Sequence, residues 1–231
     1  GTSGPTNTEY VAFADANNGG APSFIQPNIS SYLTWTDSLI EVIVPSRAGT
    51  GPILVETSST TQESSDTLVI PFAIINTLGS PPLEAVLVDQ NGNGGSNWTM
   101  GLSFSGNSIE NAFSRAVDTW ECATGVNWDI TPNSTALGAP ANDGVNIVAP
   151  MTLPAGVLGQ CHTHLSSCNG SIPYVVGQDL VFSPTANWNF STNPPASNQV
   201  DFESVALHEL GHALQIAHIV ETHDLLHFSI S

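Results

Sequence analysis

The sequence predicts an α+β protein of two domains, an all-β domain at residues 1–77 and an α+β domain at residues 78–231. In the first domain, short β-prone runs alternate with turn residues, as in LTWTDSLIEVIVPSRAGTGPILVE at residues 33–56, and strands at this spacing are typical of a β-sandwich. In the second domain, strand-like runs alternate with helical patterns. Residues 78–82 contain two prolines and a glycine, which suit a linker between domains.

Two helices are predicted in the second domain. The first spans residues 107–120, where apolar residues recur at helical spacing. The second begins after Asp201, whose carboxylate can cap it, and contains the segment VALHELGHAL. Strands are predicted at residues 126–130, 144–150 and 175–184. We expect the helices to pack on one mixed sheet.

The charge of the chain excludes some partners. Twenty acidic residues stand against two arginines and no lysine, which gives a formal net charge of −18. Phosphate binding depends on Lys and Arg, so nucleic acid is not an expected partner. No run of about 18 apolar residues occurs, so we expect no membrane insertion. A secreted, extracellular protein in salty or calcium-rich surroundings fits this surface best.

The cysteines suggest an oxidising compartment. Cys161 and Cys168 flank a short loop, and we expect a disulfide between them rather than a pair with Cys122, although spacing alone does not fix the connectivity. The cysteine left over is expected to be a small buried hydrophobic residue.

The second helix carries an HExxH motif. His208 and His212 lie four residues apart and therefore on one helical face, where both imidazoles can reach a metal ion. Glu209 follows the first histidine and can act as a general base towards water. His218 lies six residues beyond His212 and can supply a third ligand only if the helix stops and the chain turns back. Three histidines with an open fourth position are typical of catalytic zinc.

These residues resemble those of the metzincins. The stretches WECATGVNW, GVLGQ, QDLVF and VALHELGHALQIAH are most similar to matrixin-like proteases secreted by bacteria, and the resemblance covers about residues 83–231. It implies a zinc endopeptidase with a twisted sheet, two main helices and an edge strand that pairs with a protein or peptide substrate. It also implies His208, His212 and His218 as zinc ligands and Glu209 as the catalytic base.

The chain departs from the metzincin pattern in several places. Gln215 stands where the family has a glycine, so a different turn is an open alternative. Leu226 stands where the family places a methionine beneath the metal, and leucine is of similar volume. Phe228 replaces a tyrosine of some members. The chain ends 13 residues after His218, so we expect the C-terminal subdomain to be truncated.

The first domain resembles the second half of an IPT/TIG domain, an immunoglobulin-like module of cell-surface and secreted proteins. The likeness lies in the segment at residues 33–56 and covers about residues 10–76. It implies an immunoglobulin-like sandwich, possessing fewer strands than the family pattern.

Several other polar residues allow more than one interpretation of their role. Asp89, Asn91 and Asn93 have the spacing of the first ligands of a calcium-binding loop. A polar turn is the preferred interpretation of this segment. Ca²⁺ nevertheless stays a second candidate cofactor beside Zn²⁺. His162 and His164 could bind a second metal, but we expect them to face solvent. Asp179 is either a calcium ligand or a cap on neighbouring backbone; His223 and His227 either line the site or face water.

Two functions follow from these patterns. The first is a secreted zinc endopeptidase in which Glu209 moves the proton. The second is a catalytically degenerate extracellular protein, structural, adhesive or filament-forming, which retains the protease fold and self-associates through sheet edges.

Overall fold

The computed structural model describes residues 4–77, 83–104, 106–167 and 172–229. The chain divides into two compact units, one made of residues 1–84 together with 216–231 and the other of residues 85–215. The described residues contain two α-helices and several β-sheets. The predicted α+β class is therefore confirmed.

The first unit is built from strands and short 3₁₀ helices in its described part. Its strands are β1 (Tyr10–Asp15), β2 (Phe24–Ile25), β3 (Tyr32–Trp35), β4 (Ile40–Val42), β5 (Ala48–Glu56), β6 (Thr61–Leu68), β7 (Asn76–Thr77) and β8 (Leu83–Glu84). The main sheet is antiparallel with the order β2-β1-β5-β6, and two further pairs are β3-β4 and β7-β8. Alternating apolar residues of β1 and β5 form a small core around Val11, Phe13 and Ala48.

The last residues of the chain belong to the first unit, whereas the sequence assigned them to the domain at 78–231. Hydrogen bonding explains the difference, because the Ala217 N–H donates to the Ala73 carbonyl at 2.8 Å and Ile216 forms a β-bridge with Ile74. The predicted linker at residues 78–82 lies outside the described residues. The boundary after residue 84 falls beside it.

The second unit is organised around a five-stranded sheet. Its elements are β9 (Asn97–Met100), α1 (Asn107–Thr124), β10 (Asp129–Ile130), β11 (Asn146–Pro150), β12 (Gly159–Ser166), β13 (Tyr174–Phe182), β14 (Trp188–Asn189), β15 (Val200–Asp201) and α2 (Phe202–Ala213). The strand order is β10-β9-β11-β13-β12, and only β12 runs antiparallel to its neighbour. The sheet is therefore mixed, and β12 lies at its edge. Strands β14 and β15 form a separate parallel pair.

Helix caps set where α1 and α2 begin. The Asp201 carboxylate accepts a hydrogen bond from the Ser204 N–H at 2.9 Å, which confirms the predicted cap of α2. Helix α1 begins after Gly106, whose N–H donates to the Glu110 carboxylate at 3.3 Å. It ends at Thr124, and the next residue, Gly125, caps it with a left-handed φ of 77°.

The two helices pack against each other over an apolar core. Trp98, Phe113, Phe182, Phe202 and Leu210 are among its fully buried side chains. Polar contacts fix the register of the helices, since the Trp120 indole N–H donates to the Leu207 carbonyl at 2.9 Å and Arg115 pairs with Glu203 at 2.6 Å. Helix α2 also packs against β12. This arrangement holds α2, with its HExxH motif, beside the edge strand.

No helix within the described ranges is long and apolar enough to span a bilayer.

Candidate metal centre

His208 and His212 project from the same face of α2 near its C-terminal end. Their Nε2 atoms lie 3.1 Å apart, and the rings meet edge to face. Two nitrogen ligands of a tetrahedral zinc ion, each about 2.05 Å from the metal, are separated by about 3.3 Å. His208 is buried and His212 is half-buried, so both rings are held largely away from bulk water. The spacing of the pair suits two ligands of one ion.

The chain reverses immediately after α2. The helix ends at Ala213, and Gln215 adopts a left-handed φ of 63°, a conformation that glycine favours. The Gln215 amide group is 3.3 Å from the Thr163 hydroxyl and 3.4 Å from the His212 carbonyl, to both of which it donates. Side-chain hydrogen bonds offset part of the roughly 1–2 kcal/mol that a left-handed non-glycine residue costs.

His218 joins the two helical histidines after this reversal. One ligand atom from each of His208, His212 and His218 lies within 4.8 Å of the others, and this cluster could hold a metal ion. Among the described residues it is the only group of three or more His, Cys, Asp or Glu side chains that meets this distance criterion. Imidazole nitrogens suit zinc, copper, iron and nickel, so the donor set fits a transition metal better than calcium.

Glu209 lies next to the first histidine and is buried, with 5% of its surface exposed. Burial removes water from the carboxylate and raises the pKa of Glu209 to about 8. A hydrogen bond from the Cys161 backbone N–H lowers the pKa by a smaller amount. A Cβ atom on Gly159 would lie 2.8 Å from the Glu209 carboxylate oxygen Oε1, so a larger residue at this position would force the Glu209 side chain to shift.

Three residues that support α2 were not identified as such from the sequence. Gln178 on β13 is buried, and its amide donates to the Ala213 carbonyl at 2.5 Å, which satisfies a carbonyl at the helix end. Gly159 and Thr163 on β12 contact Glu209 and Gln215, respectively. A glutamine within the apolar run VVGQDLVF was the available signal, because a buried amide requires partners.

Asp179 caps neighbouring backbone and is not placed in any metal cluster of the described residues. Its buried carboxylate accepts hydrogen bonds from the N–H groups of Ala141 and Ile147, each at 3.0 Å, and lies 2.9 Å from His164 Nε2. The expectation that His162 and His164 face solvent is wrong, because His164 pairs with Asp179 and both imidazoles are partly buried. The His162 Nε2 atom itself is buried.

The loop at residues 89–95 forms a polar turn. The Asp89 carboxylate accepts from the Gly92 N–H at 2.7 Å, and the Asn91 side-chain oxygen accepts from the N–H groups of Asn93 and Gly95. Backbone hydrogen bonds of this kind also lower the pKa of Asp89. Bound calcium stays a prediction.

The cysteines are only partly accounted for. Cys161 lies half-buried on β12, and burial, together with the nearby Glu209 charge, raises the pKa of its thiol well above its usual range. Cys168 lies outside the described residues, so the disulfide between them stays a prediction. Cys122 is free and exposed on α1 and is therefore not the buried hydrophobic residue that was expected.

The segment after His218 folds back on itself within the first unit. The Ile219 N–H donates to the carbonyl of Leu226 at 3.0 Å, and Leu226 and His227 are buried while Phe228 is exposed. The His227 imidazole bonds the Ser229 carbonyl at 2.8 Å, whereas the His223 side chain is 90% exposed. A role for Leu226 beneath the metal stays a prediction.

We expect the cluster to bind one divalent transition-metal ion per chain. Replacement of His208, His212 or His218 by alanine removes one of three ligands and should weaken Zn²⁺ binding by more than about 100-fold, which exceeds the effect typical of outer hydrogen-bond partners. Competition against a chelator of known affinity measures this change. His223→Ala is the matched control and should leave the affinity unchanged; equal losses in all four variants would contradict the assignment.

The buried carboxyl should also make the stability of the metal-free chain depend on pH. In the folded state Glu209 keeps its proton up to about pH 8, whereas the unfolded chain releases it near pH 4.5. The unfolded state thus binds fewer protons in this window, and the free energy of unfolding falls with rising pH by up to about 1.4 kcal/mol per unit.

Glu209→Gln removes this titration. Urea unfolding at pH 5 and pH 8 should show the variant gaining stability relative to the parent chain as the pH rises. A stability difference that is the same at both pH values would show that Glu209 does not hold its proton in the folded chain.

A scan against protein-family models matches no family, and a search of curated proteins returns no match. The residues of the site itself are therefore the basis on which a function is proposed.

Proposed function

We propose that this chain is a secreted zinc-dependent endopeptidase of the metzincin type. The observation that carries the proposal is the convergence of His208, His212 and His218 next to the buried carboxyl of Glu209. Under this proposal, residues 85–215 contain the sheet and helices of the catalytic domain. The first unit is an immunoglobulin-like module related to IPT/TIG domains.

Zinc is the proposed ion because three neutral imidazoles form the ligand set of many catalytic zinc sites and leave a coordination position open. When bound, zinc would activate water for attack and polarise the carbonyl of the scissile peptide bond. The three histidines would hold the ion as neutral imidazoles and so add no charge of their own. The full positive charge of a bound zinc ion would therefore be available to polarise the scissile carbonyl.

Glu209 moves the proton. Its carboxylate accepts a proton from the attacking water and then transfers it to the leaving amine, which requires a pKa close to the working pH. Burial raises this pKa to about 8 in the metal-free chain, and a nearby cation lowers it again because opposite charge favours the ionised form. The Cys161 N–H and the space left by Gly159 hold the carboxylate in place.

The edge strand supports a peptide as the substrate. Within the described residues, strand β12 pairs with β13 alone and packs against α2, so its second edge offers backbone groups next to the helix that carries the motif. An extended peptide can add to such an edge by main-chain hydrogen bonds. The net charge of −18 and the absence of lysine suit an extracellular setting and argue against nucleic acid as a partner.

A second candidate is a catalytically degenerate extracellular protein with a structural, adhesive or filament-forming role. Phe228 favours it, since this residue has no hydroxyl group to donate to a reacting carbonyl. Strand β6 at the edge of the first unit's sheet is long and exposed, which suits self-association. The two candidates differ in whether the zinc-loaded chain cleaves a substrate.

We expect the zinc-loaded chain to hydrolyse a quenched fluorescent protein substrate. Glu209→Ala should lower the rate by about 100-fold or more while zinc stays bound, because general base catalysis contributes about 10²–10⁴-fold. A chelator should abolish cleavage, and added zinc should restore it. Gly159→Ala, which crowds Glu209 without removing it, should lower the rate and leave the zinc content unchanged.

Zinc content is measured in every sample. If the zinc-loaded parent chain leaves the substrate intact, the endopeptidase is ruled out and the structural candidate is favoured. Cleavage that persists in Glu209→Ala would rule out Glu209 as the base.

A further inference from the structure

We propose that Asn17, in the short 3₁₀ helix that follows β1 in the first unit, is a positioning residue for the third metal ligand. Its side-chain oxygen accepts a hydrogen bond from Nδ1–H of His218 and so directs Nε2 of that ring towards the ion. This inference rests on the proposed metal centre and names a residue that the HExxH motif does not include.

The contact itself is short and specific. The Asn17 Oδ1 atom lies 3.0 Å from His218 Nδ1, although the two residues are 201 positions apart in the chain. An amide oxygen can only accept, so Nδ1 carries the proton of the neutral imidazole and the lone pair resides on Nε2. Histidine ligands are commonly oriented in this way by an acceptor on the second ring nitrogen.

An ion pair between Arg47 and the buried carboxylate of Asp15 holds Asn17 in place. Asn17 lies in a 3₁₀ helix at Ala16–Asn18, which is capped by the buried carboxylate of Asp15. That carboxylate accepts from the Asn17 N–H at 3.1 Å and from the Asn18 amide at 2.8 Å. Arg47 donates to both of its oxygens, at 3.3 and 2.5 Å. One of the two arginines, in a chain without lysine, thus helps to hold this 3₁₀ helix in place.

The backbone around His218 is fixed by neighbours on both sides. Ala217 donates to the Ala73 carbonyl at 2.8 Å, and Ile219 donates to the Leu226 carbonyl at 3.0 Å. Val220 packs where Gly20 and Gly49 leave room for it, since a Cβ on Gly49 would lie 2.3 Å from a Val220 methyl carbon.

With the main chain held, the remaining freedom of His218 is rotation of its ring. The hydrogen bond that His218 donates to Asn17 selects one orientation of that ring. Loss of such an outer partner weakens metal binding by about 10–100-fold, and the exposure of Asn17 places the expected loss near the lower end, at about tenfold.

Zinc affinity of the full chain, measured by chelator competition, tests the assignment directly. Asn17→Ala should weaken Zn²⁺ binding about tenfold, whereas Asn17→Asp keeps an acceptor oxygen and should restore affinity to within about threefold of the parent chain. Asn18→Ala is the matched control. It removes a neighbouring amide that bonds Asp15 but not His218, and it should change the affinity less than threefold. The absorption spectrum of the Co²⁺-loaded chain should change with Asn17→Ala and be recovered with Asn17→Asp.

Each alternative outcome is decisive. Unchanged affinity in Asn17→Ala, or equal losses in Asn17→Ala and Asn18→Ala, would overturn the positioning role and leave Asn17 as part of the fold alone. A parent chain that binds no zinc would overturn the metal centre and this inference together. A parent chain that binds zinc tightly but cleaves no substrate would rule out the proposed peptidase activity. The zinc affinities of the variants would still decide the role of Asn17.

Discussion

The chain reversal at Gln215 is the constraint on which the proposed metal centre depends. A helix can bring two residues four positions apart to one ion, but a residue six positions further on reaches the same ion only if the helix stops and the backbone turns. Gln215 makes this turn in a left-handed conformation, and its amide bonds Thr163 on the edge strand. The Gln178 amide donates a hydrogen bond to the carbonyl of Ala213, the last residue of the helix. The sheet therefore fixes the end of α2 by two side-chain amides.

The site contains two features that destabilise the fold, and packing in the core has to offset their cost in free energy. Glu209 is a buried carboxyl with a raised pKa, and Gln215 adopts a backbone conformation that L-residues avoid. Such features collect at functional sites because each is retained only where its surroundings hold it. The apolar core between the helices and the sheet, which includes Phe182 and Phe202, provides the compensating stability. The buried carboxyl of Glu209 and the left-handed turn are thus supported by the same packing that positions α2.

Sequence reasoning predicted the parts of this protein that depend on local pattern. The α+β class, the cap at Asp201 and the grouping of three histidines follow from spacing and side-chain chemistry. Contacts between distant segments were not predictable in this way. The pairing of Asp179 with His164 and the association of residues 216–231 with the first unit depend on partners far away in the chain. Periodicity carries no information about such partners, because it describes only one element at a time.

The most direct test of the account is X-ray absorption at the zinc edge on the zinc-loaded chain. Three histidine nitrogens at about 2.0–2.1 Å, together with one oxygen ligand from water and no sulfur, are predicted for an open catalytic-type centre. The three-histidine signal should drop to two in His218→Ala. A sulfur ligand near 2.3 Å, or a coordination shell that His218→Ala leaves unchanged, would contradict the assignment of His208, His212 and His218 as the metal ligands.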